Sequence, residues 1–575
     1  MMKERTTKEI HMKNIFKTLL FTLLLSGCYE DKGNYDYTLD SMNDITSVKF
    51  TPAIVETAQG KVIEVRQALS EDDKNCRIEA HLEQTLEKNL ENLDFYWYRT
   101  HKDGNGTITG TDTIYTRGFL EIELPIGEMV QQDILLKIYD NTTTLSHYSS
   151  FKFMTRQPFK NSLFVLHGEE GDRKLGNIAI IGDETEIYTD IKSITKDDNL
   201  YNNAKGLDYS CTDEGLLTIT VFNENGTARG YEPFEMKHKF FSEELFKPDA
   251  TGFSFKSVIK AGDPLTTQYK VVLSENGKIY VGNNLPALYR AGYGAELEEK
   301  PMHISDYYIT AATITNDNYF FWDEKEDRFL NMGTKNIGGN FVRTEEASKS
   351  PDLLSNNVIV DANIDYSLLG EDTPVGKTAV LGYINYTEEW EVDYKDFYFI
   401  FKDDVNNYYR YELATGEKGS AEACTIKNVK KLVNFNPSDP KTIKYCTCFS
   451  TNYLFYANGS TIYRYNVANG DNVVVYEAPE GYQVTLMKLR TDDYNSANYY
   501  GDLVRTMSIG LYNENEMKGA IAEVKFTTAA DVDKDYVQPF YDKDNEGNNF
   551  GRIIDLQFAR ESQYELADYQ KGGTE

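Results

Sequence analysis

The sequence predicts an all-β chain, an immunoglobulin-like β-sandwich followed by a β-propeller of six to eight blades, and three observations carry that prediction. Short runs alternating apolar and polar residues, bounded by turn residues, recur from Ile45 onward. A nine-residue pattern beginning at Tyr409 returns at Tyr463, 54 positions later. The chain also holds 42 tyrosines and 30 phenylalanines against 14 prolines, a composition that suits half-buried pleated sheets better than disordered polypeptide.

The first element is a signal segment over residues 1–27, with Met12 as the start of the precursor. Lys13 and Lys17 precede a short apolar run from Thr18 to Leu25, which closes on Leu25-Ser26-Gly27-Cys28. That run falls well short of the roughly 20 apolar residues a spanning helix needs. A cysteine directly after Ser-Gly has the spacing of a bacterial lipobox, so Cys28 is expected to carry lipid and to become the new N-terminus. Each buried methylene contributes roughly 0.8 kcal/mol, so several acyl chains on one cysteine would anchor the protein durably. Residues 28–44 are polar and aperiodic and read as a tether. Within it Glu30 and Asp31 resemble the acidic export signal that sends lipoproteins to the outer leaflet of an outer membrane.

Residues 45–157 form the expected sandwich, with strands at Val62–Val65, Leu93–Tyr98, Phe119–Ile122, Ile134–Tyr139 and Ser150–Phe153 and Trp97 as the core aromatic. Leu82, Leu86, Leu90 and Leu93 break the rhythm. Their spacing predicts a short amphipathic helix inside the domain. Arg156-Gln157-Pro158-Phe159 then ends the sandwich, since proline interrupts a strand series.

Residues 158–575 are too long for another single sandwich and are read as the propeller. In both repeat copies, Tyr409-Arg410-Tyr411-Glu412-Leu413-Ala414-Thr415-Gly416-Glu417 and Tyr463-Arg464-Tyr465-Asn466-Val467-Ala468-Asn469-Gly470-Asp471, an alternating strand enters a glycine turn. Looser echoes stand at Val272–Gly282, with Asn276-Gly277 as a hairpin signal, and at Tyr319–Leu330. Units near the roughly 40–50 residues of known blade repeats are what a propeller produces.

The opening Cys28-Tyr29-Glu30-Asp31-Lys32-Gly33-Asn34-Tyr35-Asp36-Tyr37, the Phe95-Tyr96-Trp97-Tyr98 strand, Tyr139-Asp140, and Asn161-Ser162-Leu163-Phe164-Val165-Leu166-His167-Gly168 together resemble the PKD-like family lipoproteins of Bacteroidota. The resemblance covers residues 28 to about 185. It implies a surface lipoprotein of the outer membrane, working beside SusC-like and SusD-like proteins that import glycans or peptides. It brings no catalytic motif. In the same phylum Asp-Ser/Thr-aliphatic triplets carry O-glycans, a pattern that Asp40-Ser41-Met42 and Asp112-Thr113-Ile114 fit.

The formal net charge is −31, and removing residues 1–27, with five basic and two acidic residues, makes it −34. Such a body repels phosphate backbones, which argues against nucleic acid as a partner. Beyond Cys28, the five cysteines Cys76, Cys211, Cys424, Cys446 and Cys448 leave an odd number, and Cys446-Thr447-Cys448 on one strand face reads as a pair of small core residues.

HExxH, GxSxG and P-loop patterns are absent, and the histidines stand far apart. The expectation is therefore a non-enzymatic ligand-binding or accessory protein that requires no cofactor. Two alternatives stand beside it: an extracellular glycoside hydrolase or lyase with propeller-borne carboxylates, and a structural scaffold for a surface complex. One calcium candidate is present, Asp542, Asp544 and Glu546, whose oxygens alternate with glycine sixth, as in an EF-hand loop. Ile553 occupies the place of the bidentate glutamate, and an ordinary acidic turn explains the same residues.

Overall fold

The computed structural model describes residues 44–559 apart from internal stretches, the longer being 261–269, 291–307, 343–359, 385–395, 415–424 and 490–505. The signal segment, Cys28, Glu30, Asp31, Asp40-Ser41-Met42 and Cys446-Thr447-Cys448 lie outside the described residues. The regular structure described is almost all strand, as the alternating pattern requires. Contacts divide the chain into two compact units, one of residues 1–63, Asn75–Glu123 and Gln131–Phe153, the other of Glu64–Lys74, Leu124–Val130 and Met154–Glu575.

The first unit is a two-sheet sandwich. Its strands are β1 (Ile45–Thr51), β2 (Val55–Thr57), β3 (Gly60–Arg66), β4 (Asn75–Gln84), β5 (Leu93–Lys102), β6 (Ile108–Tyr115), β7 (Phe119–Glu123), β8 (Gln131–Asp140) and β9 (Ser146–Arg156). One sheet has the order β1-β4-β7 and the other β2-β3-β9-β8-β5-β6. Trp97 on β5 is wholly buried, with Phe50 of β1 and Phe151 of β9 edge-on at 6.2 and 6.4 Å. These three rings join the two sheets, each ring pair adding roughly 0.5–1.5 kcal/mol beyond the area it buries.

The helix expected from the leucine spacing is not formed at the described residues. Leu82 lies in β4 opposite Val48, and Leu93 opens β5 opposite Asp140. Leu90 is exposed between them. The four-residue spacing spans a strand end and a strand start, and pairing of β4 with both β1 and β7 overrides the local helical period.

The second unit is a propeller, with seven sheets of three or four strands among the described residues, beside two small two-stranded pairs. Blade 1 holds Ser162–His167, Lys174–Ile181 and Glu184–Tyr188, and its inner strand is the C-terminal Ile553–Ala559. Blade 2 comprises Ala204–Cys211, Leu217–Asn223, Ala228–Tyr231 and His238–Phe241, and blade 3 Phe255–Lys260, Lys270–Ser274 and Ile279–Gly282. Blade 4 runs Ile309–Ile314, Asn318–Asp323, Arg328–Gly333 and Val360–Asp361, and blade 5 Thr378–Ile384, Asp396–Lys402, Tyr408–Ala414 and Thr425–Lys431. Lys444–Tyr445, Tyr453–Asn458, Thr461–Asn466 and Asn472–Glu477 make blade 6; Gln483–Leu489, Thr506–Asn513, Lys518–Lys525 and Phe540–Tyr541 make blade 7.

In every blade the strands are antiparallel, and the first strands of successive blades touch from blade 6 through 7, 1, 2, 3 and 4 to 5. Those strands surround the axis. Apolar clusters fill the space between sheets, joining blades 1 and 2, 4 and 5, 5 and 6, 6 and 7, and 7 and 1. Aromatic rings do much of this filling: between blades 4 and 5, Trp322 meets Phe329 and Phe401 edge-on, each at 4.8 Å, and Phe401 meets Tyr411 at 4.9 Å.

The repeated Tyr-Arg-Tyr motif occupies the third strand of blades 5 and 6, so its 54-residue spacing is the length of one blade. Each copy does the same work. Tyr411 and Tyr465 are buried and donate their hydroxyls to carbonyls of the segment leading into their own blade, Asp372 at 2.6 Å and Val433 at 3.0 Å. Arg410 and Arg464 sit over the rings of Tyr398 and Tyr453, both 4.6 Å from the ring centre. Asn276-Gly277 forms the hairpin turn between the second and third strands of blade 3, with Gly277 at φ +77°.

Candidate functional site

Inner strands are where a propeller brings residues distant in sequence to one place, and here they bring charge. Asp555, on the inner strand of blade 1, ties three blades together. Its Oδ1 accepts Lys488 Nζ of blade 7 at 3.0 Å and the Leu556 amide at 2.8 Å, while Oδ2 accepts the Leu207 amide of blade 2 at 2.7 Å. The carboxylate is thereby spoken for on both oxygens. Asp208, next along the blade 2 strand, is buried.

Lys444, with its side-chain ammonium, opens the inner strand of blade 6 and is half-buried. No hydrogen bond or ion pair to a described residue ends on that ammonium. Burial first, then the like charge of Lys488, pushes its pKa down to about 8, against the attraction of Asp555 and Asp439. Lys256, on the inner strand of blade 3, donates to the Thr310 carbonyl at 3.1 Å, and burial lowers its pKa too, with Glu275, Glu324 and Lys441 around it. The hydroxyls of Thr310 and Thr485, on the inner strands of blades 4 and 7, are enclosed without a hydrogen-bond partner.

The calcium candidate lies just before the closing strand. Asp544 accepts the Glu546 amide at 3.0 Å and the Asn548 amide at 2.8 Å on Oδ1, and Asn548 Nδ2 at 3.0 Å and Thr189 Oγ1 at 2.7 Å on Oδ2. Asp323, Asp403 and Asn513 cap the turns between second and third strands of blades 4, 5 and 7 in the same way, accepting amides two to four residues on. Glu546 is exposed and Asp542 partly so. Among the described residues no three His, Cys, Asp or Glu side chains group as metal ligands would.

Histidines are dispersed. His101 pairs with Asp112 at 2.7 Å on the sandwich surface, which also occupies the acidic residue of the Asp112-Thr113-Ile114 triplet. His167 is buried in blade 1, bonded to the Thr189 carbonyl at 2.6 Å and the Gly551 amide at 2.9 Å. Cys76, on β4, is a free thiol whose pKa burial pushes up to about 11, which suppresses the reactive thiolate.

A family model described as PKD-like family matches residues 28–209. The match begins at Cys28, spans the sandwich and the three N-terminal strands of blade 1, and enters the inner strand of blade 2. No curated protein matches the chain. Among solved structures it is similar to a quinonprotein alcohol dehydrogenase-like protein from Bacteroides thetaiotaomicron, at 11% identity over 86% of this chain and 96% of that one, with a TM-score of 0.37. It is also similar to BamB from Moraxella catarrhalis, at 8% identity over 70% of this chain and 90% of that one, with a TM-score of 0.28. Scores this low add nothing to the propeller assignment, which stands on the strand pairing itself. Among the described residues no helix is long and apolar enough to cross a membrane.

Proposed function

We propose that this chain is a non-enzymatic binding or accessory lipoprotein, held through Cys28 to the outer membrane, facing the cell exterior, and serving a SusC/SusD-type system that takes up glycans or peptides. The observation that carries the reading is architectural: a lipobox-like cysteine and an acidic tether precede a PKD-like sandwich and then a closed propeller. A ring of blades offers loop faces and an axis to a ligand while its core stays packed. Among the described residues the inner strands bring Lys488 of blade 7 to Asp555 of blade 1, a charged contact that a polar ligand could meet.

A hydrolase or lyase would instead need two carboxylates roughly 5–10 Å apart and free to act. The two readings separate in one experiment. The mature chain is incubated with a panel of polysaccharides and peptides, and both retention and product formation are followed. Retention without bond cleavage is the expected outcome; turnover of any member overturns the non-enzymatic reading, and retention of none overturns the binding role.

A further inference from the structure

We propose that the outer face of the six-stranded sandwich sheet is a binding platform for an acidic glycan, with tyrosine rings meeting its sugar units and Lys137 meeting its carboxylates. The proposal rests on the ligand-binding reading above and names the class of ligand. Phe95 and Trp97 of β5 and Ile134, Leu136 and Ile138 of β8 are buried, so the alternate residues of both strands face outward. These are Tyr96 and Tyr98 on β5 and Leu135, Lys137 and Tyr139 on β8, all half-buried. Strand β9 lies on the other side of β8. Hydrogen bonds at both ends of that pair, Asp140 N to Leu145 O at 3.0 Å and Thr155 N to Val130 O at 2.9 Å, set one register. It puts Tyr148, which is 57% exposed, opposite Lys137, whose partner on β5 is Tyr96.

Tyr96, Tyr98, Tyr139 and Tyr148 therefore share one patch across β5, β8 and β9, about 10 Å wide by strand spacing. Their hydroxyls bond to no described residue. Lys137 Nζ stands over the Tyr96 and Tyr139 rings, 5.7 and 5.5 Å from their centres, and forms no ion pair with a described residue. The other charges of the face have neighbours: Asp94 accepts Asn141 Nδ2 at 3.0 Å, and the β8–β9 register sets Lys152 opposite Asp133. In a chain of net charge −31, a lysine set among rings and bound to no carboxylate is complementary to an anion. The rings add apolar surface for the C–H faces of sugars, and free hydroxyls for their oxygens. The strands β9, β8 and β5 are interior in the order β2-β3-β9-β8-β5-β6, so their backbone groups pair with one another. A peptide cannot join them as an added strand, and the ligand is met by side chains alone.

The test is affinity electrophoresis of the full mature chain through gels holding polygalacturonate, alginate or hyaluronate, with dextran as the neutral control and gelatin as the polypeptide control. Retardation by at least one uronate polymer, reduced by added salt, and by neither control is expected. Tyr148→Ala should weaken it about fivefold, and Lys137→Gln should weaken it to a similar extent while Lys137→Arg keeps it. If Lys137→Gln fails to fold, the exposed Tyr148 variant and the salt series decide. No retardation by any uronate polymer, or retardation unchanged in folded Tyr148→Ala or Lys137→Gln, overturns the platform. Equal retardation by dextran or gelatin overturns the acidic glycan as its ligand. Retention of another ligand, unaffected by these substitutions, would sink the platform and leave the binding role standing; retention of nothing sinks both.

Discussion

His167 shows how a buried polar residue can be settled by its surroundings. The Gly551 amide donates to Nδ1, so the ring proton must sit on Nε2, where it is given to the Thr189 carbonyl. A second proton on Nδ1 would face that amide, in a site where burial already lowers the pKa to about 4 from 6.5. The folded state thus holds fewer protons at this ring than the unfolded chain between those values. Its contribution is complete above pH 6.5 and is lost as pH falls toward 4, by up to about 3 kcal/mol. Urea midpoints measured from pH 7 to pH 4 should show this loss, and His167→Gln should flatten that part of the profile.

Tyr411 and Tyr465 give a second prediction at the same scale. Replacing either with phenylalanine leaves a carbonyl without its donor and should cost roughly 1–3 kcal/mol, measurable as a shift of the denaturation midpoint without a change in slope. Their burial was legible because both lie in a repeated alternating strand. Lys444 was not legible: it is one of 60 basic residues, and nothing local marks its environment. Its position follows from which strand lies at the axis, and that is decided by partners far along the chain.

At the level of elements, inner strands are crowded, and glycine marks where. A Cβ on Gly206 would stand 2.0 Å from the Phe255 ring, which itself stacks on Phe222 at 4.4 Å; one on Gly382 would stand 2.4 Å from the Ala312 carbonyl. Gly206→Val should therefore separate blades 2 and 3 and cost roughly 1–3 kcal/mol or more, read as a lowered melting temperature. Blades were visible in the sequence where the Tyr-Arg-Tyr copies kept their packing and hydrogen bonding together, and more faintly at the hairpins of Val272–Gly282 and Tyr319–Leu330. Elsewhere different side chains fill equivalent positions, and the seven sheets emerge from pairing alone. The leucines from 82 to 93 misled for the opposite reason, since an accidental helical spacing carried no information about the strands on either side of β4.

The whole propeller depends on one closure. Ile553–Ala559 pairs along Ser162–His167, and the His167–Gly551 bond spans 384 positions of sequence. Removing the chain from Ile553 onward would expose the edge of blade 1 and take Asp555 from the axis, so the truncated protein should lose its cooperative unfolding transition and become protease-sensitive. This closure could not be read in advance, because strand pairing at such separation leaves no local pattern. The proposed lipid anchor is the reverse case: Cys28 is marked by its neighbours in sequence and lies outside the described residues. Cys28→Ser should release the protein from the membrane fraction, as cell fractionation would show.

On the proposed function, the propeller is held at the cell surface to bind for an importer. The most direct test is affinity purification of the lipidated protein from detergent-solubilised membranes of cells cross-linked while intact, using a reagent that does not enter them. Recovery of an outer-membrane transporter with its surface lipoprotein, dependent on Cys28, is the expected result; a protein that is not cross-linked from outside and brings no outer-membrane partner would contradict it.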